Sequence, residues 1–213
     1  MAQPDRSGLI RNVLIISVAV AALAIIGFLF LQPPGPTYAC TTELTPPAVQ
    51  EDSSGLGFAA PDLGNAHVAP PGSKITYGYC PPASGGHWNA ENRGPIPARV
   101  YPPNEERPPG GWVHNLEHGY VAILYRCSSG QLGSGDCATA DEMTAMRAWF
   151  DARPSTDTCG QQALVARFDS MTTRFAILAW DRLLMLDTLD LAQAETFADQ
   201  WTDNPALPEA GVC

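Results

Sequence analysis

Sixteen of the twenty prolines in this 213-residue chain lie between residues 32 and 110. Proline fixes φ and has no N–H to give, so neither a long helix nor a central strand fits that stretch. Extended loops and turns are expected there. Aromatic residues punctuate its later part (Tyr77, Tyr79, Trp88, Tyr101, Trp112), so residues 61–112 read as ordered. Residues 32–60 read as a flexible spacer.

Regular structure resumes after Gly119. Tyr120–Tyr125 is a short, partly β-branched apolar run, the pattern of a buried strand. Thr139–Arg153 predicts a helix, opened by a threonine with early acids and stopped before Pro154. Ala163–Phe168 and Arg174–Trp180 predict two more strands around a turn at 169–172, and Leu183–Leu186 a fourth. Leu191–Trp201 predicts a final helix. No segment repeats. The expected fold class is α+β: a proline-rich irregular region, then a small, mainly antiparallel sheet with two helices.

Ahead of all this, Val13–Leu31 runs nineteen residues without a charge. That is about the length that crosses a hydrocarbon core of roughly 30 Å. Arg6 and Arg11 precede the run, which by the positive-inside tendency puts 1–12 in the cytoplasm and the rest outside. The expectation is one transmembrane anchor at 13–31, a spacer at 32–60 and one extracytoplasmic domain at 61–213. A cleaved signal peptide ending near Thr37-Tyr38-Ala39 is the rival; run length favours the anchor. A lipid-modified Cys40 fits less well, with Tyr38 just upstream.

Setting aside Arg6, Arg11 and Asp5, the exported part carries 10 basic and 21 acidic groups, a net charge near −11. Such a balance argues against nucleic acid and anionic headgroups as partners and is compatible with metal ions. All six cysteines lie beyond the anchor. An even number in an oxidising compartment favours disulfides. Cys127 and Cys137, flanking a Gly/Ser-rich loop, make one local pair; the other pairings stay open. No CxxC occurs, which argues against a thioredoxin-type centre.

The chain's four histidines, His67, His87, His114 and His118, fall within 52 residues. Neutral imidazole is the commonest protein ligand for copper and zinc, so their convergence would build a divalent-metal site. His114 and His118 share a face if their segment makes a helical turn. The letters H-x-x-E-H also match an inverted zinc-protease motif. Gly119 and a strand follow at once, however, so the segment reads as a turn feeding a strand. Glu117 is then an outer partner for an imidazole N–H. Pro81-Pro82 and Gly85-Gly86 frame a rigid turn delivering His87. Cys80 reads as a half-cystine ahead of the alternative, a soft extra metal ligand, and Met143 and Met146 read as core. No phosphate-binding loop, G-x-S-x-G elbow or haem-attachment motif is present.

Together His67, Tyr77, the PPxSGxH of Pro81–His87, the VHNLEHG of Val113–Gly119 and Ala179-Trp180 resemble a bacterial family of proteins of unknown function, number 3105. The resemblance spans roughly residues 62–201. Gly86 stands where proline is common, and Cys80 precedes the proline pair. The resemblance implies an N-terminal membrane segment followed by this domain, and places all four histidines at motif positions. It brings no activity.

The expected function is therefore a membrane-tethered, extracytoplasmic metal-binding protein in metal handling, with His67, His87, His114 and His118 as ligands; whether it is also an enzyme stays open, with the balance against. Copper is favoured over zinc, because the site is imidazole-rich and exported and copper heads the divalent affinity order. The alternative is a non-enzymatic accessory subunit of a respiratory or photosynthetic membrane complex. A metal-dependent hydrolase ranks third.

Overall fold

A computed structural model describes residues 15–18, 20, 37–156, 159–209 and 211–212. The chain divides into two compact units, Met1–Pro36 and Thr37–Cys213. In the first, the described residues, 15–18 and 20, are helical. The expected transmembrane helix at 13–31 has to be corrected. Among the described residues no helix is long and apolar enough to cross a membrane. A span needs about 20 residues at roughly 1.5 Å each. The remainder of 13–31, like the tail at 1–12, lies outside the described residues.

The second unit is α+β, with small sheets. Five short strands come first: β1 (Tyr38–Cys40), β2 (Glu51–Asp52), β3 (Gly55–Leu56), β4 (Phe58–Ala59) and β5 (Ile75–Tyr77). Helix α1 (Pro109–Glu117), strand β6 (Val121–Tyr125) and helix α2 (Ala140–Ala152) follow. The ribbon β7 (Ser155–Thr156) and β8 (Gly160–Gln161) leads to β9 (Ala163–Arg167), β10 (Phe175–Ala179), β11 (Arg182–Leu186) and helix α3 (Leu191–Trp201). The central sheet has the order β4-β11-β10-β6-β9. Only β6 and β9 pair in parallel; the other pairings are antiparallel. Trp180 and Asp181 make the two-residue turn from β10 to β11, with Asp181 at φ 55°.

Both faces of this sheet are covered, which explains why its strands read as unbroken apolar runs. Ala122 and Leu124 of β6 pack with Trp112 and Leu116 of α1 and with Tyr77, Trp88 and Tyr101 of the proline-rich region. Val121, Ile123 and Tyr125 pack with Met146 and Trp149 of α2 and with Ala194 and Phe197 of α3. The irregular region is thus a full layer of the domain. Tyrosine hydroxyls tie it down: Tyr77 donates to Gly86 O (2.7 Å), Tyr101 to Pro97 O (2.8 Å) and Tyr125 to Tyr101 O (2.7 Å). Each ring supplies buried apolar area while its hydroxyl satisfies a loop carbonyl. Thr139 and Glu142 form a capping box at the start of α2, and Asp190 caps α3.

Two further expectations change. Residues 37–60, read as part of a flexible spacer, are built into the domain. β1 pairs with β5, β4 is the sheet edge beside β11, and Gln50 bonds the backbone of Met185 in both directions at 2.7 and 2.8 Å. A disulfide joins Cys40 to Cys80, and Tyr38 and Phe58 pack against the core. A second disulfide joins Cys127 to Cys137, and Cys159 is also disulfide-bonded. The His114–His118 segment, read as a turn feeding a strand, instead belongs to a nine-residue helix, Pro109–Glu117, with His118 at its C-cap. Pro109 sits at its first turn, where a missing N–H costs nothing. Gly119, at φ 84°, ends it in the left-handed conformation glycine tolerates.

Candidate metal centre

Helix α1 places His114 and Glu117 three residues apart on one face, with His118 at the C-cap one residue later. Asn115 locks the helix to the proline-rich layer, giving its amide to Ile96 O and taking Ile96 N–H, both at 2.9 Å. His87 reaches the same place from a different part of that layer. A parallel bridge aligns His67 with His87: Val68 N–H donates to His87 O (2.8 Å) and His87 N–H to Ala66 O (3.1 Å). The turn before His87 needs Gly85, which sits at φ 117° against Leu63 and the Tyr77 ring.

The four rings form a continuous group. Centroids of His67, His87 and His114 lie 4.7–5.1 Å apart, and His118 lies 4.7 Å from His114. His87, His114, Glu117 and His118 are buried, whereas the His67 side chain is 42 % exposed. Ligand atoms of His67, His87, His114 and Glu117 all lie within 4.8 Å of one another. A second grouping within the same distance joins His114, Glu117, His118 and Glu209. Among the described residues no grouping takes in all four imidazoles.

The protonation pattern follows from the partners. Nδ1 of His87 lies 2.8 Å from Gly85 O, that of His114 2.8 Å from Trp88 O, and that of His118 2.8 Å from Val212 O. A carbonyl only accepts, so each Nδ1 carries a proton, and in the neutral form of each ring Nε2 keeps its lone pair. Burial holds His87 and His114 below the ordinary histidine range, against the pull of those carbonyls and with a smaller contribution from the neighbouring imidazoles. Burial thus favours the neutral form of both rings. Burial, and then the charge of Glu209, push the Glu117 carboxyl above its usual range, while Asn65 opposes them by hydrogen bonding.

The Nδ1–H groups of His87, His114 and His118 point to backbone carbonyls and are not given to Glu117. Its Oε2 lies 2.9 Å from His87 Nε2 and 3.8 Å from His67 Nε2, inside the cluster. Despite that proximity, His87 Nε2, Glu117 Oε2 and His118 Nε2 are buried without a hydrogen-bond partner. Trp180, the second residue of the Ala179-Trp180 motif, sets its ring edge-on to His87 at 6.4 Å. Glu209 was not anticipated, and no local signal separates it from the other acids near the C-terminus. The carbonyls of Gly85, Trp88 and Val212 carry no signal in side-chain identity at all.

Buried imidazoles with Nδ1–H groups fixed and Nε2 lone pairs facing a buried carboxylate define a class: an α+β domain with a preformed His/Glu cluster able to hold a metal ion. The family model described as "Protein of unknown function (DUF3105)" matches residues 67–213, and the chain belongs to that family. No curated protein and no solved structure matches the chain.

Proposed function

We propose that this domain binds a transition-metal ion through Nε2 of His67, His87 and His114 and the carboxylate of Glu117, and serves in metal handling outside the cytoplasm. The 2.9 Å approach of His87 Nε2 to Glu117 Oε2, with no hydrogen bond between them, carries this reading. Two lone pairs held face to face in a buried site repel unless a proton or a metal ion sits between them, and the four ligand atoms grouped there suit a metal ion. Ligand atoms each about 2.0–2.1 Å from a common ion lie at such a separation. The Nδ1–H···O=C bonds are the usual way a protein fixes ligand tautomer and ring orientation. Copper(II) is the metal proposed, with zinc second, because imidazole suits both and copper stands higher in the affinity order. The disulfides support an oxidising compartment.

The test is a copper(II) titration of the metal-free full-length chain against a competing chelator, followed by electron paramagnetic resonance. One ion per chain with nitrogen couplings from several imidazoles is expected. Binding no tighter than that of a chain with His67, His87 and His114 all replaced by alanine would sink the reading.

A further inference from the structure

Two groupings of ligand atoms share His114 and Glu117: one adds His67 and His87, the other His118 and Glu209. We infer that the centre is a two-position relay, in which a single ion is held by either grouping and passes between them through the shared pair. The inference rests on the metal-binding reading above and adds to it a second position, with Glu209 as a ligand.

Three observations carry it. The first is reach. An ion about 2.0–2.1 Å from each ligand spans at most roughly 4.2 Å between opposite ligand atoms. Either grouping, within 4.8 Å, closes on an ion with a small contraction; the combined set does not. The second is the single free nitrogen of His114. Its Nδ1–H is given to Trp88 O, so one Nε2 lone pair remains and cannot serve both positions at once. Full occupancy of one grouping therefore excludes full occupancy of the other.

The third is that His118 is prepared in the same way as His87 and His114. Its side chain is 8 % exposed, its Nδ1–H is spent on Val212 O, and its buried Nε2 has no hydrogen-bond partner. Glu209 Oε2 stands 3.4 Å from that nitrogen. A buried imidazole Nε2 beside a carboxylate oxygen, with no hydrogen bond to that nitrogen, repeats the arrangement at His87 and Glu117.

The exposures suit a handover. The shared ligands His114 and Glu117 are buried, whereas each position has one outer ligand near solvent, His67 in the first and Glu209 in the second, with side chains 42 % and 37 % exposed. The first position offers three nitrogens and one carboxylate, the second two of each. An imidazole-preferring ion such as copper(II) rests in the first and passes to the second when exposed His67 and then buried His87 release it. Transfer exchanges ligands only, with no change of oxidation state.

The experiment uses the full-length chain and copper(II), with stoichiometry from equilibrium dialysis and coordination from electron paramagnetic resonance. Wild type should bind one copper. His87→Ala should still bind one, at least about tenfold more weakly, with a spectrum of fewer nitrogen couplings. Adding Glu209→Gln to that variant should weaken binding about tenfold again. Two coppers on wild type would overturn the relay, as would loss of all binding in a folded His87→Ala chain or indifference of that chain to Glu209→Gln. If His87→Ala does not fold, His67→Ala at the half-exposed position decides by the same spectral change and the same response to Glu209→Gln. No copper on wild type would instead overturn the metal-binding reading itself.

Discussion

Replacing Glu117 by Gln should move stability and metal binding in opposite directions. Glu117 is 1 % exposed, and its carboxyl is pushed above the ordinary range by burial and by Glu209. A carboxyl whose folded pKa exceeds its unfolded value contributes stability below the unfolded pKa and loses it as pH rises through the folded one. In the metal-free protein, ionising this group is therefore a cost to stability. Glutamine keeps the shape, removes the charge and offers an N–H to His87 Nε2, now 2.9 Å from Oε2 without a hydrogen bond. A new buried hydrogen bond stabilises by about 0.5–1.5 kcal/mol. At roughly 2–4 °C per kcal/mol for a domain of this size, metal-free melting should rise by about 1–6 °C. Metal binding should suffer instead. With free copper at about 1,000 times the wild-type Kd, binding adds ~4.1 kcal/mol, a shift of roughly 8–16 °C. If loss of the anionic ligand weakens affinity about a hundredfold, the same copper adds only ~1.4 kcal/mol, roughly 3–6 °C. Thermal melts by circular dichroism, with and without copper, read both quantities. A lower melting temperature for the metal-free variant, or an undiminished copper shift, would refute the reasoning.

Other sites make separate predictions. In Gly94→Ala the new Cβ would stand 2.4 Å from Trp88 O, the acceptor for His114 Nδ1–H, and 3.1 Å from Gly110 O. Backbone must shift, so a stability loss of about 1–3 kcal/mol is expected in chemical denaturation, with copper affinity down about 10–100-fold in titration; wild-type values for both would contradict this. Replacing Cys40 and Cys80 by serine opens a bridge with a sequence separation of 40. The loop-closure relation gives about 4 kcal/mol for it, visible as a lower urea midpoint that reductant no longer changes at this bridge. The Glu142 carboxyl, though burial raises it, is held below the usual range by Arg174 at 2.7 and 3.1 Å and by Thr139 N–H. A lowered folded pKa gives stability above the unfolded value, near 4.3, that is lost as pH falls. The gap in melting temperature between wild type and Glu142→Gln should therefore close below about pH 4.3; a gap independent of pH would count against the pair.

Local pattern was enough for much of the domain. The apolar runs at 121–125, 163–167 and 175–179 and the capped amphipathic segments at 140–152 and 191–201 fold as strands and helices, because periodicity and end signals act within a few residues. The short helix Pro109–Glu117 was not legible: it is rich in glycine and proline, and its whole length is buried by Trp88, Ile96 and the sheet rather than favoured by its own propensity. The spacer was misread for a related reason, since proline density speaks of local conformation and not of whether Tyr38, Phe58 and Cys40 find partners far along the chain.

The sequence by itself determined which residues could make a metal site, because four imidazoles and a nearby carboxylate are a matter of residue identity and motif. Only the tertiary structure decided that they meet. A backbone bridge sets His67 beside His87, and a helix sets His114, Glu117 and His118 against them. Carbonyls of Gly85, Trp88 and Val212 choose the tautomers, and the chain's far end brings Glu209 to His118. Convergence and protonation depend on backbone groups and long-range packing, which no residue's identity encodes.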